Sequence, residues 1–547
     1  MTRKLVLLTL ATLAATASLF AEPGRYMVVM RRSTPATSLR LVANSAESIA
    51  HRVRRFEHAG SIAMDLTESE AAELRRSGDV VSVEPLVRIE ALDYGTEVIP
   101  QQFRFEQQVI PWGITAIEAQ AVWPVTRGKN VNVAVLDTGI DITHPDLNTA
   151  YAGGYNVVDP TQPPLDDHGH GTHVAGIIAA ADNAVGTVGV APEAKIWALK
   201  VLDAAGSGND ERVVAALDWV IAKKSRIGGL WVANMSIGGP SSNALAQGVQ
   251  RALDAGILLV ASSGNTGGLS SLLYPAGYDG VISVGAVDSA GAVASFSTYG
   301  AGLDVVAPGV DVESSYLRNK TTLAEIEAQG VTLPAFPITN SPMTRAQGTF
   351  INCGYGRPQD FPANVTGRIC VIQRSPSGPE AMPFSEKARN AKEAGAVGVI
   401  IYNDNDEFRG DYRNWTLYQD PEEQPYEFPL TIAMSYADGS KLLNAVSGPI
   451  KMAFGYREYT SMSGTSMAAP HVSGTVALLL ALKPSTNFSQ MVSLLERSAS
   501  EISVPGWDAR SAWGMVDAYT AARLISPTMF GLPPQPPPVV KRRSSKS

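Results

Sequence analysis

Short apolar runs recur through the middle of the chain, and segments with helical spacing separate them. Val131-Asn-Val-Ala-Val-Leu136 and the runs 195–202, 231–235, 256–261 and 281–285 are almost unbroken in hydrophobic residues. Segments 171–181, 210–224 and 242–255 bring apolar side chains back every three or four positions. Strands without polar alternation are covered on both faces, and their alternation with helices predicts an α/β fold whose parallel sheet is built by right-handed crossovers.

The rhythm breaks near Tyr316. A stretch to about Arg457 has its own order: Gly367-Arg-Ile-Cys-Val-Ile372, a helix over 384–394, then Gly395-Ala-Val-Gly-Val-Ile-Ile-Tyr402. It reads as a second globular domain, inserted before helices at 466–482, 487–498 and 517–524 resume the α/β pattern. Residues 22–95 read as a small α+β unit. It has strands at 26–30 and 80–83, a helix over 38–56, and a capping box Thr67-Glu-Ser-Glu70 that opens a short helix ended by Gly78. From Asp93 to Gln108 the pattern dissolves into a linker. The expected divisions are 1–21, 22–95, 96–315, 316–458, 459–526 and a Pro-rich, basic tail over 527–547 that reads as disordered.

Composition narrows the class. The 547 residues exceed what one core holds, and a net charge of −8 argues against a nucleic-acid partner. Residues 1–21 carry Arg3 and Lys4, an apolar stretch and small residues at Ala15, Ala17 and Ala21, the layout of a cleaved secretory leader. No later run is long and apolar enough to predict stable membrane insertion, so the chain is expected outside the cell or in the periplasm, as a monomer. The two cysteines, Cys353 and Cys370, are then candidates for a disulfide, with two free thiols as the alternative.

Four short segments carry candidate chemistry. Asp137 ends the strand 131–136, at the sheet edge where reactions gather in open α/β folds, although an Asp there also caps a turn. Asp167-His-Gly-His170-Gly-Thr-His173 opens an apolar helix. Three histidines so close raise zinc, but the spacing is not that of a metalloprotease helix. Gly464-Thr-Ser466-Met-Ala-Ala-Pro470 places Ser466 at the start of another apolar helix, where a helix dipole favours a developing anion and where Ser is also a common cap. Asn265 follows the strand 256–261 through Ser262-Ser263-Gly264; its amide is suited to donate to an oxyanion or to serve a turn.

These segments, in this order, resemble the subtilisin-like serine proteases. The resemblance implies a three-layer catalytic domain, with Asp137, His170 and Ser466 as triad and Asn265 as oxyanion donor beside the Ser466 N–H. Asn234-Met-Ser236-Ile237-Gly238 resembles the substrate-aligning segment, with Ser262, Ser263 and Gly264 on the facing wall. The implied activity is endoproteolysis of proteins or peptides through an acyl-enzyme. Asp182-Asn183-Ala-Val185-Gly-Thr187 resembles a structural calcium loop, implying ligands from Asp146, Asn183, Gln108 and the carbonyls of Ala181, Val185 and Thr187. Residues 22–95 resemble an inhibitory pro-segment that is removed autocatalytically by a cut between about Glu90 and Gln108. Ser466 follows Asn265 by 201 positions, and the excess, 316–458, resembles a β-rich α/β protease-associated domain. The competing functional reading is an inactive scaffold that binds protein. An α/β-hydrolase needs Gly-x-Ser-x-Gly and another residue order, and Ala468 departs from it.

Overall fold

The structure is a computed structural model that describes residues 24–31, 53–94, 108–269, 271–318, 321–377, 381–404, 415–418 and 426–531. The expected leader, most of the 38–56 helix, most of the 93–108 linker and the tail beyond Gly531 lie outside the described residues; Pro527–Phe530, expected to begin the disordered tail, instead form a short helical turn. The chain divides into two compact units. One combines the N-terminal segment with residues 108–315 and those from 461 onward; the other is centred on Tyr316–Thr460.

In the first unit, β1 (Gly24–Met30), β2 (Arg54–Phe56), β3 (Ser61–Leu66) and β4 (Val80–Pro85) form an antiparallel sheet in the order β2-β3-β1-β4. Residues 54–56 are therefore strand, not the end of the expected helix. The helix α1 (Glu68–Arg75) is opened by the reciprocal Thr67–Glu70 capping box. Period-two alternation divides β1 between two cores. Val28 and Met30 join Ile62, Met64, Leu66 and Ala71, whereas Met27 and Val29 face Phe56, Ala63 and the helix residues Val214, Leu217, Leu245 and Val249. The small sheet thus closes on the larger domain through one apolar face.

After β5 (Arg88–Ala91) and the short helix α2 (Trp112–Ala116) comes the main sheet. Its strands are β6 (Val131–Asp137), β7 (Tyr151–Asn156), β8 (Lys195–Lys200), β10 (Leu230–Met235), β12 (Leu258–Ser262), β13 (Val281–Val287) and β14 (Val305–Pro308). All seven are parallel, in the order β14-β13-β12-β10-β6-β8-β7. The crossovers are α3 (His170–Ala179), α4 (Asp210–Ile227) and α5 (Asn243–Asp254), with the short strands β9 (Ser207–Asn209) and β11 (Ile237–Gly238) between them. Edge strand β7 escaped the sequence pattern because it is half-buried and contains Gly153 and Gly154.

The chain leaves this unit after β15 (Val312–Ser315) and later returns to it in α8 (Thr465–Leu482), followed by α9 (Phe488–Ser498) and α10 (Ala518–Ile525). Among the described residues, α8 alone is long and apolar enough to cross a membrane, and it is buried within the protein.

The second unit is a closed barrel of seven strands with helices at Phe384–Glu393 and Tyr436–Ala445. Strand Ile369–Gln373 alternates between two cores: Ile369 and Val371 face one, Cys370 and Ile372 the other. Cys353 and Cys370 are both buried there as thiols, with their sulfurs 3.1 Å apart. The expected pair is in contact but not bonded. The hydrogen bond with Cys353 and burial both push the Cys370 thiol above its ordinary pKa.

Candidate active site

The carboxyl end of β6 carries Asp137, and three residues past β12 the half-buried Asn265 bonds Thr465, the neighbour of Ser466. Asp137 is the last residue of β6 and His170 the first of α3; both are fully buried. Asp137 Oδ1 and His170 Nδ1 are 2.7 Å apart, and the same oxygen accepts the Thr138 N–H at 2.7 Å. The opposite ring atom, His170 Nε2, is buried and hydrogen-bonds nothing among the described residues. Burial disfavours the imidazolium, but the charge and hydrogen bond of Asp137, reinforced by Asp93 and Asp166, outweigh it and hold the His170 pKa above its ordinary value.

A second carboxylate fixes this pair. Asp166 Oδ1 accepts from Thr138 Oγ1 (2.8 Å) and from the N–H groups of His168 (3.0 Å) and Gly169 (2.9 Å). Its Oδ2 accepts from Thr172 N (2.9 Å) and Oγ1 (2.6 Å). Asp166 so caps the start of α3 and ties it to the end of β6. Sequence reasoning overlooked it, although an Asp just ahead of a Gly-His helix start is a recognisable cap signal. The three histidines take separate directions: His170 meets Asp137, His173 Nε2 lies 3.0 Å from Val312 O, and the His168 ring centroid is 6.3 Å from that of His170.

Ser466 lies in the first turn of α8. Four residues on, Pro470 has no N–H to give the Ser466 carbonyl. Ser236 Oγ donates to that carbonyl instead, at 2.8 Å. The Ser466 hydroxyl in turn donates to Ser236 O at 2.9 Å. It is therefore turned to β11's approach and not bonded to His170 Nε2, the partner the sequence suggested.

Asn265 follows β12. Its Oδ1 accepts from Thr465 N (3.0 Å) and Thr465 Oγ1 (2.8 Å), which leaves Nδ2 aimed outward. Nδ2 donates to the carbonyl of Leu92 at 2.7 Å, and Leu92 N donates to Ser466 Oγ at 3.1 Å. The N-terminal segment thus runs through the site. Its strand β5 pairs antiparallel with β11 on one side (Ala91 opposite Ile237, Glu90 opposite Gly238) and with β9 on the other.

Ser236, Ile237 and Gly238 accordingly flank this docked peptide. Gly264, with φ +124°, stands on the opposite wall, where any Cβ would collide with Thr298 Oγ1 (2.8 Å) and Leu273 Cγ (3.0 Å). Ser262 and Ser263 are fully buried, and Ser263 Oγ donates to Thr298 O at 2.8 Å. Thr465 and Leu273 were not foreseen from the sequence.

The expected calcium residues also converge. Gln108 Nε2 donates to the carbonyls of Ala181 (2.7 Å) and Thr187 (3.2 Å), and Asn183 Nδ2 to Asp146 Oδ1 (3.0 Å). Asp146 Oδ2 accepts the Thr187 N–H at 3.0 Å, and Asn183 Oδ1 that of Val185 at 3.0 Å. Turning the Gln108 amide end for end would present its oxygen to the same cluster. A carboxylate, carbonyls and side-chain amides are the donor set calcium selects.

With this geometry established, the comparisons with known proteins are specific. The subtilase family model matches residues 128–349 and 433–514, and a PA domain model matches 331–442. The alkaline protease of Alkalihalobacillus alcalophilus is 41% identical over 286 residues, 50% of this chain and 72% of that protein. Subtilisin Savinase of Lederbergia lenta is 49% identical over 211 residues, 38% of this chain and 75% of that protein. Among solved structures, the psychrophilic subtilisin-like protease Apa1 from the Antarctic psychrotroph Pseudoalteromonas sp. AS-11 aligns with a TM-score of 0.51 and 29% identity, covering 77% of this chain and 99% of that one. The fold and the matches define a serine endopeptidase. The chain belongs to the subtilase family and carries an inserted PA domain.

Proposed function

We propose that the chain is a secreted proenzyme whose Ser466, His170 and Asp137 hydrolyse peptide bonds, with Asn265 stabilising the oxyanion. The observation that carries this reading is the peptide already in place: one backbone carbonyl on Asn265 Nδ2 at 2.7 Å, with the N–H of the same residue on Ser466 Oγ at 3.1 Å.

Rotation of the Ser466 hydroxyl off Ser236 O onto His170 Nε2 gives the base its proton partner. His170 then takes the proton as Ser466 Oγ attacks, while Asp137 keeps Nδ1 protonated and stabilises the imidazolium. Charge developing on the carbonyl oxygen meets the fixed Asn265 amide and the Ser466 N–H in a water-poor site. His170 passes the proton to the leaving amine, and water releases the acyl group.

Calcium held by Asp146, Asn183, Gln108 and the carbonyls of Ala181, Val185 and Thr187 would brace the loop after α3 without entering the chemistry. The N-terminal segment from residue 22 acts as intramolecular inhibitor until it is cut away. The test is labelling with a fluorophosphonate, with Ser466→Ala as control. Covalent labelling of the processed wild type and none of the variant is expected; a wild type that neither labels nor cleaves peptides would favour a protein-binding scaffold instead.

A further inference from the structure

We infer that the chain matures by cutting itself between Leu92 and Asp93, and that Leu273 restricts the residue accepted at this position to a leucine-sized aliphatic side chain. The inference rests on the hydrolytic reading above.

Both sides of the Leu92–Asp93 peptide are held. Upstream, β5 lies between two strands, and Ala91 N donates to Gly206 O at 3.0 Å. Downstream, Tyr94 N donates to Ser463 O at 2.7 Å, and its ring stacks on Phe296 with centroids 4.5 Å apart. Between these anchors the Leu92 carbonyl takes the Asn265 amide, beside Gly464, where a Cβ would sit 2.4 Å from the Leu92 oxygen. Of the whole N-terminal segment described, this carbonyl is the one the oxyanion donor holds.

The Leu92 side chain is enclosed as well. Leu92 is 8% exposed, and its Cδ1 lies 2.7 Å from where a Cβ on Gly238 would be. Leu273 Cδ1 and Cβ lie 3.0 and 3.1 Å from the same point, and Leu273 Cγ lies 3.0 Å from the Cβ position of Gly264. Two glycines open the space and Leu273 closes it. Its backbone is fixed by Leu273 N donating to Ser263 O at 3.0 Å and by Gly277 N donating to Leu273 O at 3.0 Å. A planar ring at residue 92 would need the volume Leu273 fills.

The step balances with one water. Ser466 Oγ bonds to the Leu92 carbonyl carbon and its proton moves to His170. The bond from that carbon to Asp93 N breaks as His170 returns the proton to the nitrogen, which becomes the new amino terminus. Water then adds to the acyl carbon, the Ser466 ester breaks, and Leu92 is left with a carboxylate.

The test follows self-cleavage of the full chain, made wild type and as Ser466→Ala, by terminal sequencing and intact mass of the earliest products. An N-terminus at Asp93-Tyr94 and a fragment ending in Leu92 are expected, with neither from Ser466→Ala. A first cut elsewhere in a wild type that hydrolyses peptides overturns the assignment of the bond and leaves the protease reading intact; no turnover of any peptide overturns both.

For the pocket, Leu92→Tyr should slow self-cleavage at least about tenfold, the discrimination one misfitted hydrophobic group gives, and Leu273→Gly should restore it. Processed Leu273→Gly enzyme should likewise lose at least about tenfold in its kcat/KM ratio for leucyl over tyrosyl peptide p-nitroanilides. An unchanged ratio in a variant that still turns over either substrate refutes the role of Leu273.

Discussion

Asn265→Ala removes the amide that holds the Leu92 carbonyl at 2.7 Å and leaves the side chains of Asp137, His170 and Ser466 unaltered. One such donor in a water-poor site is worth roughly 3–4 kcal/mol of transition-state energy, a figure measured on a member of this same family, and that corresponds to about 10²–10³ in kcat. KM should move little, since the bond strengthens as charge develops. The structure adds a finer expectation. Asn265 Oδ1 is held by Thr465 N at 3.0 Å and by Thr465 Oγ1 at 2.8 Å. Thr465→Val deletes the second, together with the longer bond that Thr465 Oγ1 accepts from Gly264 N at 3.3 Å. A neutral hydrogen bond is worth about 0.5–1.5 kcal/mol, so kcat should fall by about 2- to 12-fold if the hydroxyl acts by aiming the amide. Because that effect travels through Asn265, Thr465→Val should cost almost nothing further in an Asn265→Ala background. Steady-state kinetics of the four processed enzymes on a peptide p-nitroanilide, with thermal melts as a fold control, complete the cycle. Additive losses would refute the aiming role, and an Asn265→Ala enzyme at wild-type kcat would refute the oxyanion site itself.

Three further outcomes are expected. Gly464→Ala puts a Cβ 2.4 Å from the position of the bound carbonyl oxygen, so kcat/KM should drop at least about 100-fold, the scale of an ångström-sized misplacement; normal kinetics would show that substrate carbonyls bind elsewhere. Asp93 is one of the carboxylates that raise the His170 pKa, and only neutral His170 can take a proton, so Asp93→Asn should shift the acid limb of the self-cleavage pH profile to lower pH; a limb that stays or moves up would contradict the electrostatics. Chelation should shorten the thermal half-life, with calcium at 100 times its Kd adding about 2.7 kcal/mol of stability. Asp146→Asn should blunt that response, whereas equal half-lives with and without chelator would remove calcium from the loop.

What the sequence made legible follows from burial. β6, α3 and α8 are packed on all sides, so unbroken apolar runs marked them, and Asp137, His170 and Ser466 sit at their ends. Strand β7 was hidden because an edge with Gly153 and Gly154 needs no apolar code. The docking of Leu92 on Ser466 joins residues 374 positions apart and depends on a three-stranded pairing no local pattern announces. The Ser466 hydroxyl's orientation toward Ser236 O was likewise unreadable, since a hydroxyl chooses among acceptors only once the fold supplies them. The thiols of Cys353 and Cys370 show the same limit: sequence named the pair, but proximity and bonding are separate facts.

The Asp166 carboxylate has a consequence for how this enzyme fails. It collects five donors from both the end of β6 and the start of α3, so the two elements bearing the acid and the imidazole are riveted to a common point. Loss of the catalytic register should therefore coincide with collapse of the surrounding domain, and partly inactivated samples should be mixtures of intact and unfolded molecules rather than a uniformly weakened population.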